Sequence, residues 1–120
     1  MTGKPSPLRL WLTVAAWMIT IFILSSLPGS ELPKTRIPHA DKMVHFVLYF
    51  ILGGLIIRAF IGTYPGLRLR RLVLLSVALV AFYAASDEFH QYFVPARSMD
   101  IVDFLVDIFG ASFAFILGRK

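Results

Sequence analysis

The sequence predicts an all-α membrane protein of four transmembrane helices with both termini on the cytoplasmic side. Three observations predict it. Of 120 residues, 58% are hydrophobic and only 16% charged, with a mean hydropathy of +0.75, against roughly 45–50% apolar residues in an ordinary soluble domain. Apolar runs close to the ~20 residues that span a bilayer recur four times. The basic residues gather at alternate ends of those runs. A chain of this length makes one domain, residues 1–120.

A polar leader with Lys4 and Arg9 precedes the first run, residues 10–27, which as a helix measures ~27 Å at 1.5 Å per residue. Its basic start is also that of a signal peptide, but the run exceeds the usual apolar segment of roughly 7–15 residues and has no Ala-x-Ala site, so it is expected to remain as a span. Pro28-Gly29-Ser30, with Pro33 and Pro38, stops the helix and makes a loop to about His39, because proline lacks the amide donor and glycine accepts turn geometry. The second run, 43–61, follows Asp41 and carries His45 and Tyr49. These three recur every four residues and share a helical face of about 80°. Gly62 to Pro65 and the cluster Arg68, Arg70, Arg71 form the next connection. The third run is 72–93, Pro95-Ala96-Arg97-Ser98 turns the chain, and the fourth run is 101–117, before Arg119-Lys120. No long internal repeat or low-complexity segment is present.

Charge sets the orientation. Eight of the twelve basic residues (Lys4, Arg9, Arg58, Arg68, Arg70, Arg71, Arg119, Lys120) lie on the side of the termini; Lys34, Arg36, Lys42 and Arg97 lie on the other. By the positive-inside rule both termini are cytoplasmic. All seven acids and all three histidines fall on the opposite side or in the adjoining half of the membrane. The pI near 10 and formal charge of +5 do not indicate a nucleic-acid binder, because the bases stand at the ends of apolar runs without interleaved exposed aromatics. Membrane lipids with anionic headgroups are the expected partners. The absence of cysteine excludes disulfides and thiolate metal sites, so a cofactor, if present, would be a divalent metal on His and carboxylates.

The candidate site centres on Ala84-Ala85-Ser86-Asp87-Glu88-Phe89-His90-Gln91-Tyr92. Each ionised group there would cost roughly 2.5–3.5 kcal/mol facing lipid at the bilayer centre. On a helix Asp87, Glu88, His90 and Gln91 share a sector of about 160°, one wet face on an apolar rod. The fourth run repeats the pattern: Asp100, Asp103 and Asp107 lie within about 60° of one another, beside the strip Gly110, Ala114, Gly118. Small residues at that spacing let helices approach closely, so the acids should face inward. Asp100 also fits the plain role of a helix N-cap. His45 and His90 each stand within a turn of a carboxylate, Asp41 or Asp87, and are expected to share a cluster; the ordinary alternative for each is a hydrogen bond to a nearby carbonyl. Lys42 and Arg97 supply the opposite charge, either to a bound anion or to an internal salt bridge with Asp87, Glu88 or Asp103. Tyr49 and Tyr83 are expected as core aromatics.

These residues together resemble the VanZ-like family of small bacterial membrane proteins. The resemblance rests on Ser25-Ser26-Leu27-Pro28, Asp41-Lys42-x-x-His45-Phe46-x-x-Tyr49, Ser86-Asp87-Glu88-x-His90-Gln91, Pro95-x-Arg97-Ser98, and Asp103 with Gly110, in that order along most of the chain. It implies a four-helix protein of the bacterial cytoplasmic (inner) membrane and cell envelope, with members linked to antibiotic resistance through reduced teicoplanin susceptibility. It implies no established reaction and hence no catalytic residues. Two positions depart from the family pattern: Asp107, where asparagine is common, and Ala96, where glycine is common.

Three functions fit these residues. The leading one is non-enzymatic: an outward site of Asp41, Lys42, His45, Asp87, Glu88, His90, Gln91, Arg97, Asp103 and Asp107 binds an anionic lipid or a lipid-linked cell-wall precursor. The second is a metal-dependent hydrolase of a lipid-linked phosphate or ester, with metal ligands drawn from His45, Asp87, His90 and Asp103 or Asp107, and with Glu88 and His90 as catalytic candidates. No His-Glu-x-x-His zinc motif supports it. In the third, the polar groups satisfy one another and set helix register.

Overall fold

A computed structural model describes residues 3–27, 40–95 and 101–118, without the side chains at 40, 41 and 118. Four helices account for nearly all of them: α1 Pro7–Ser25, α2 Ala40–Thr63, α3 Leu69–Gln91 and α4 Ile101–Gly118. The expected four-helix order holds, with shifted ends. α1 begins three residues before its apolar run because the Ser6 side chain caps it, accepting from the Arg9 amide at 3.2 Å, and because Pro7 occupies the first turn, where its missing donor is harmless. It stops at Ser25, and Ser26 folds its amide back onto the Phe22 and Ile23 carbonyls. α2 ends just ahead of Tyr64-Pro65-Gly66, since the residue before a proline is driven out of the helical region. α3 starts within the arginine cluster at Leu69 and closes at Gln91 in a run of turns through Pro95.

α1, α2 and α3 are each long and apolar enough to cross a membrane. Their outer surfaces carry Leu12, Ile19, Phe22, Val44, Val47, Ile61, Leu74, Phe82 and Phe89, all exposed. α4 exposes Leu105, Phe109, Phe113 and Ile116 in the same way. Ser25, Ser76, Asp87, Glu88, Gln91, Asp103 and Asp107 are meanwhile buried. Apolar side chains thus cover the outside while these polar and acidic groups face the interior, the arrangement expected where hydrocarbon is the solvent.

α2 is the hub. It touches the other three helices and packs most extensively on α4, whereas among the described residues α1 and α4 make no contact. Tyr49, Leu52, Ile56 and Ile57 of α2 form the centre of the core, against Val14 and Ile21 of α1, Val80 and Ala84 of α3, and Ala111 and Phe115 of α4. Close approach of α2 and α4 rests on glycine. A Cβ on Gly53 would lie 2.6 Å from the Ala111 carbonyl oxygen, and one on Gly110 would lie 2.6 Å from that of Phe46. Polar pairs then fix direction. Between α2 and α4, and between α1 and α3, successive bonded partners keep a nearly constant separation of 61 to 65 positions. Each of these pairs of helices therefore runs parallel. α1 and α2 are antiparallel: Trp11 Nε1 donates to Thr63 Oγ1 at 2.8 Å, and Trp17 Nε1 to the Leu48 carbonyl at 2.9 Å. The C-terminal ends of α1 and α3 thus meet the N-terminal halves of α2 and α4 at one end of the bundle. Nearly all the described polar candidates lie there.

Candidate functional site

Asp87 ties three helices together. Its carboxylate accepts from Ser25 of α1 and from the hydroxyl of Tyr49 of α2, the latter at 3.0 Å. Both Asp87 and Glu88 are buried in the last turns of α3, at the negative end of the helix dipole, where helix electrostatics favour a cation instead. Two carboxylates held there against both burial and the dipole need compensation from other elements.

α2 brings two bases to this end of the bundle, and α4 brings two further acids that pair with them. Lys42 Nζ lies 2.5 Å from Asp103 Oδ1. One turn further along each helix, His45 Nδ1 lies 2.8 Å from Asp107 Oδ1, while the other ring nitrogen of His45 faces Asp103 Oδ2 at 3.8 Å. The spacing explains the match: Asp103 and Asp107 are one helical turn apart and face a parallel helix carrying Lys42 and His45 at nearly the same interval. Exposure falls with depth. The side chains of Lys42, His45, Asp103 and Asp107 are 22%, 12%, 10% and 0% accessible, so Lys42 forms the rim and His45, Asp103 and Asp107 lie below it as the floor. Asp107 Oδ2 is buried without a hydrogen-bond partner.

The floor has the composition of a cation site. One ligand atom from each of His45, Asp87, Glu88 and Asp107 lies within 4.8 Å of all the others. The four come from three helices, the way metal sites are built inside helical bundles.

Of the residues singled out by sequence, the structure brings together Lys42, His45, Asp87, Glu88, Asp103 and Asp107, with Gln91 buried one turn beyond Asp87. His90 stands apart from His45. Its ring stacks on Phe22 of α1, centroids 4.6 Å apart, and its Nε2 lies 2.9 Å from Ser26 Oγ. The Ser26 hydroxyl proton is directed at the Phe22 carbonyl, so Nε2–H is the donor to Ser26. Arg97 and Asp100, and the side chain of Asp41, lie outside the described residues. Sequence reasoning left two participants without a role. Tyr49 is a core aromatic as expected, yet its hydroxyl is spent on Asp87. Ser25 belongs to a recognised motif, but its carboxylate partner is 62 residues away. Tyr83 likewise sits half-buried and donates to the Met18 carbonyl of α1.

Comparison with known proteins agrees with this arrangement of motifs. Over 104 residues the chain is 29% identical to an uncharacterized protein of Schizosaccharomyces pombe, a match covering 87% of this chain and 61% of that one. The chain therefore spans about three-fifths of that relative's length. No solved structure matches it. The model of the VanZ/LLP1 family matches residues 10–119, which include every motif on which the site is built, and the chain belongs to that family.

Proposed function

We propose that this chain is a four-span protein of the bacterial cytoplasmic (inner) membrane, both termini cytoplasmic, whose outward polar site binds the headgroup of an anionic lipid or a lipid-linked cell-wall precursor. The apolar outer face of α4, continuous with those of the other helices, supports the fourth span. The excess of Lys and Arg beside the termini and around Arg68, Arg70 and Arg71 supports the orientation. In this reading the whole chain acts as one transmembrane domain, and holding a lipid-linked precursor is how it alters glycopeptide susceptibility, teicoplanin included.

The observation that carries the headgroup reading is the gradient from rim to floor. Lys42 is the most accessible member of the group and Asp107 is sealed, so an anion approaching along the bundle end meets the Lys42 ammonium first. Arg97, which lies outside the described residues, is the sequence's second candidate base, with a planar fork suited to phosphate or carboxylate. The site then presents a shared cation edge to a phosphate while the apolar flanks of α1 and α3 accept acyl chains.

The test is lipid retention. Protein extracted in mild detergent is expected to keep anionic phospholipid, quantified per chain by native mass spectrometry. Lys42→Ala and Arg97→Ala are each expected to cut retention roughly tenfold, the effect of one charge-assisted hydrogen bond. Equal retention by both folded variants would remove the headgroup reading.

A further inference from the structure

We propose that His45, Asp87, Glu88 and Asp107 form a binding site for one divalent transition-metal ion such as Mn2+ or Zn2+. This goes beyond headgroup binding at the rim and does not depend on it.

The geometry is that of ligands around one ion. Oxygen and nitrogen ligands bind such ions at roughly 2.0–2.2 Å, which puts neighbouring ligand atoms about 3 Å apart and opposite ones about 4.2 Å apart. The four candidate atoms lie within 4.8 Å of one another, so movements of a few tenths of an ångström close the shell. The 2.8 Å between His45 Nδ1 and Asp107 Oδ1 is already close to the separation of two adjacent ligands. A second observation is independent of this clustering. Asp107 is fully buried and its Oδ2 has no hydrogen-bond partner, and a buried polar atom left unpaired is costly. A cation supplies that partner.

The surroundings fit as well. Ser25 and Tyr49 orient Asp87 through its two oxygens. Asp103, held by Lys42, stands 3.8 Å from Nε2 of His45, beyond hydrogen-bond reach, while Nδ1 is the ring nitrogen turned to Asp107. One imidazole with three carboxylates selects a borderline ion over a soft one, since there is no sulfur.

The experiment uses the full chain in detergent, stripped with a chelator and then titrated with Mn2+, Zn2+ or Ca2+ alone. Wild type is expected to take up about one Mn2+ or Zn2+ per chain by elemental analysis, and to melt at higher temperature when loaded. Asp107→Asn and Glu88→Gln are each expected to weaken binding by roughly ten- to hundred-fold, with Ser76→Ala, buried in α3 outside the group, unchanged. A wild-type chain that binds neither ion at millimolar concentration and shows no shift in melting overturns the site; this arm needs no variant to fold. Undiminished binding by folded Asp107→Asn and Glu88→Gln overturns it equally, because the ion then sits elsewhere. Lipid measured on the same samples separates the two proposals: lipid retained without metal sinks the metal site alone, and metal without lipid sinks the rim reading alone.

Discussion

Asp87 concentrates the chemistry of this protein in one side chain. It is buried, stands at the wrong end of the α3 dipole, and is held by hydroxyls from two other helices. Removing one of those donors tests how much the hub contributes. Tyr49→Phe keeps the ring in the core and deletes only the bond to Asp87; it is expected to destabilise the fold by about 1 kcal/mol, the usual scale for a polar contact between membrane helices. Thermal melting in detergent measures it, and an unchanged midpoint would mean that Asp87 is satisfied without Tyr49. At this scale a residue was legible in the sequence where it was chemically out of place. Asp87, Glu88, His45 and Asp107 stood out because ionisable groups in apolar runs have few reasons to be there. Tyr49 did not, because packing already accounts for a tyrosine in such a run. His90 stood out as much as His45, yet it faces α1 and Ser26. The direction of a side chain within a 160° sector depends on which neighbour lies opposite it.

Among the elements, the α2–α4 pair sets the site. Lys42 with Asp103 and His45 with Asp107 meet only because the two helices run parallel and close, and that closeness depends on Gly53 and Gly110. Gly110→Ala puts a Cβ 2.6 Å from a backbone oxygen of Phe46, which cannot swing away as a side chain can. It is expected to cost roughly 1–3 kcal/mol, the range for overpacking, and to loosen both ion pairs. Gly66→Ala, with nothing within 4 Å of the added carbon, serves as the neutral comparison. Equal melting of the two variants would show that the helices separate without penalty. The strip Gly110, Ala114 was legible as a contact face from its spacing. Its partners were not: Phe46 stands against Gly110 and Gly54 against Ala114, in a run whose residues give no sign of which helix they meet.

For the molecule as a whole, the inverted distribution of polarity and the placement of basic residues make a prediction about topology. A reporter active only in the cytoplasm, fused after Lys120, is expected to be active, and a periplasmic reporter at the same point silent. The reverse result would put the polar site on the cytoplasmic face and end the proposal of an outward headgroup site. The sequence by itself determined that this is an apolar, four-helix chain of the VanZ/LLP1 family with its ionisable groups clustered near one end, because hydropathy, breakers and charge are local properties written along the chain. Only the tertiary structure decided that α2 runs beside α4 and α1 beside α3, that Ser25 and Tyr49 converge on Asp87, and that His45 rather than His90 joins the acids. Those facts are pairings between residues some 40 to 65 positions apart, and they follow from which helix faces pack closest, a property that no single segment carries.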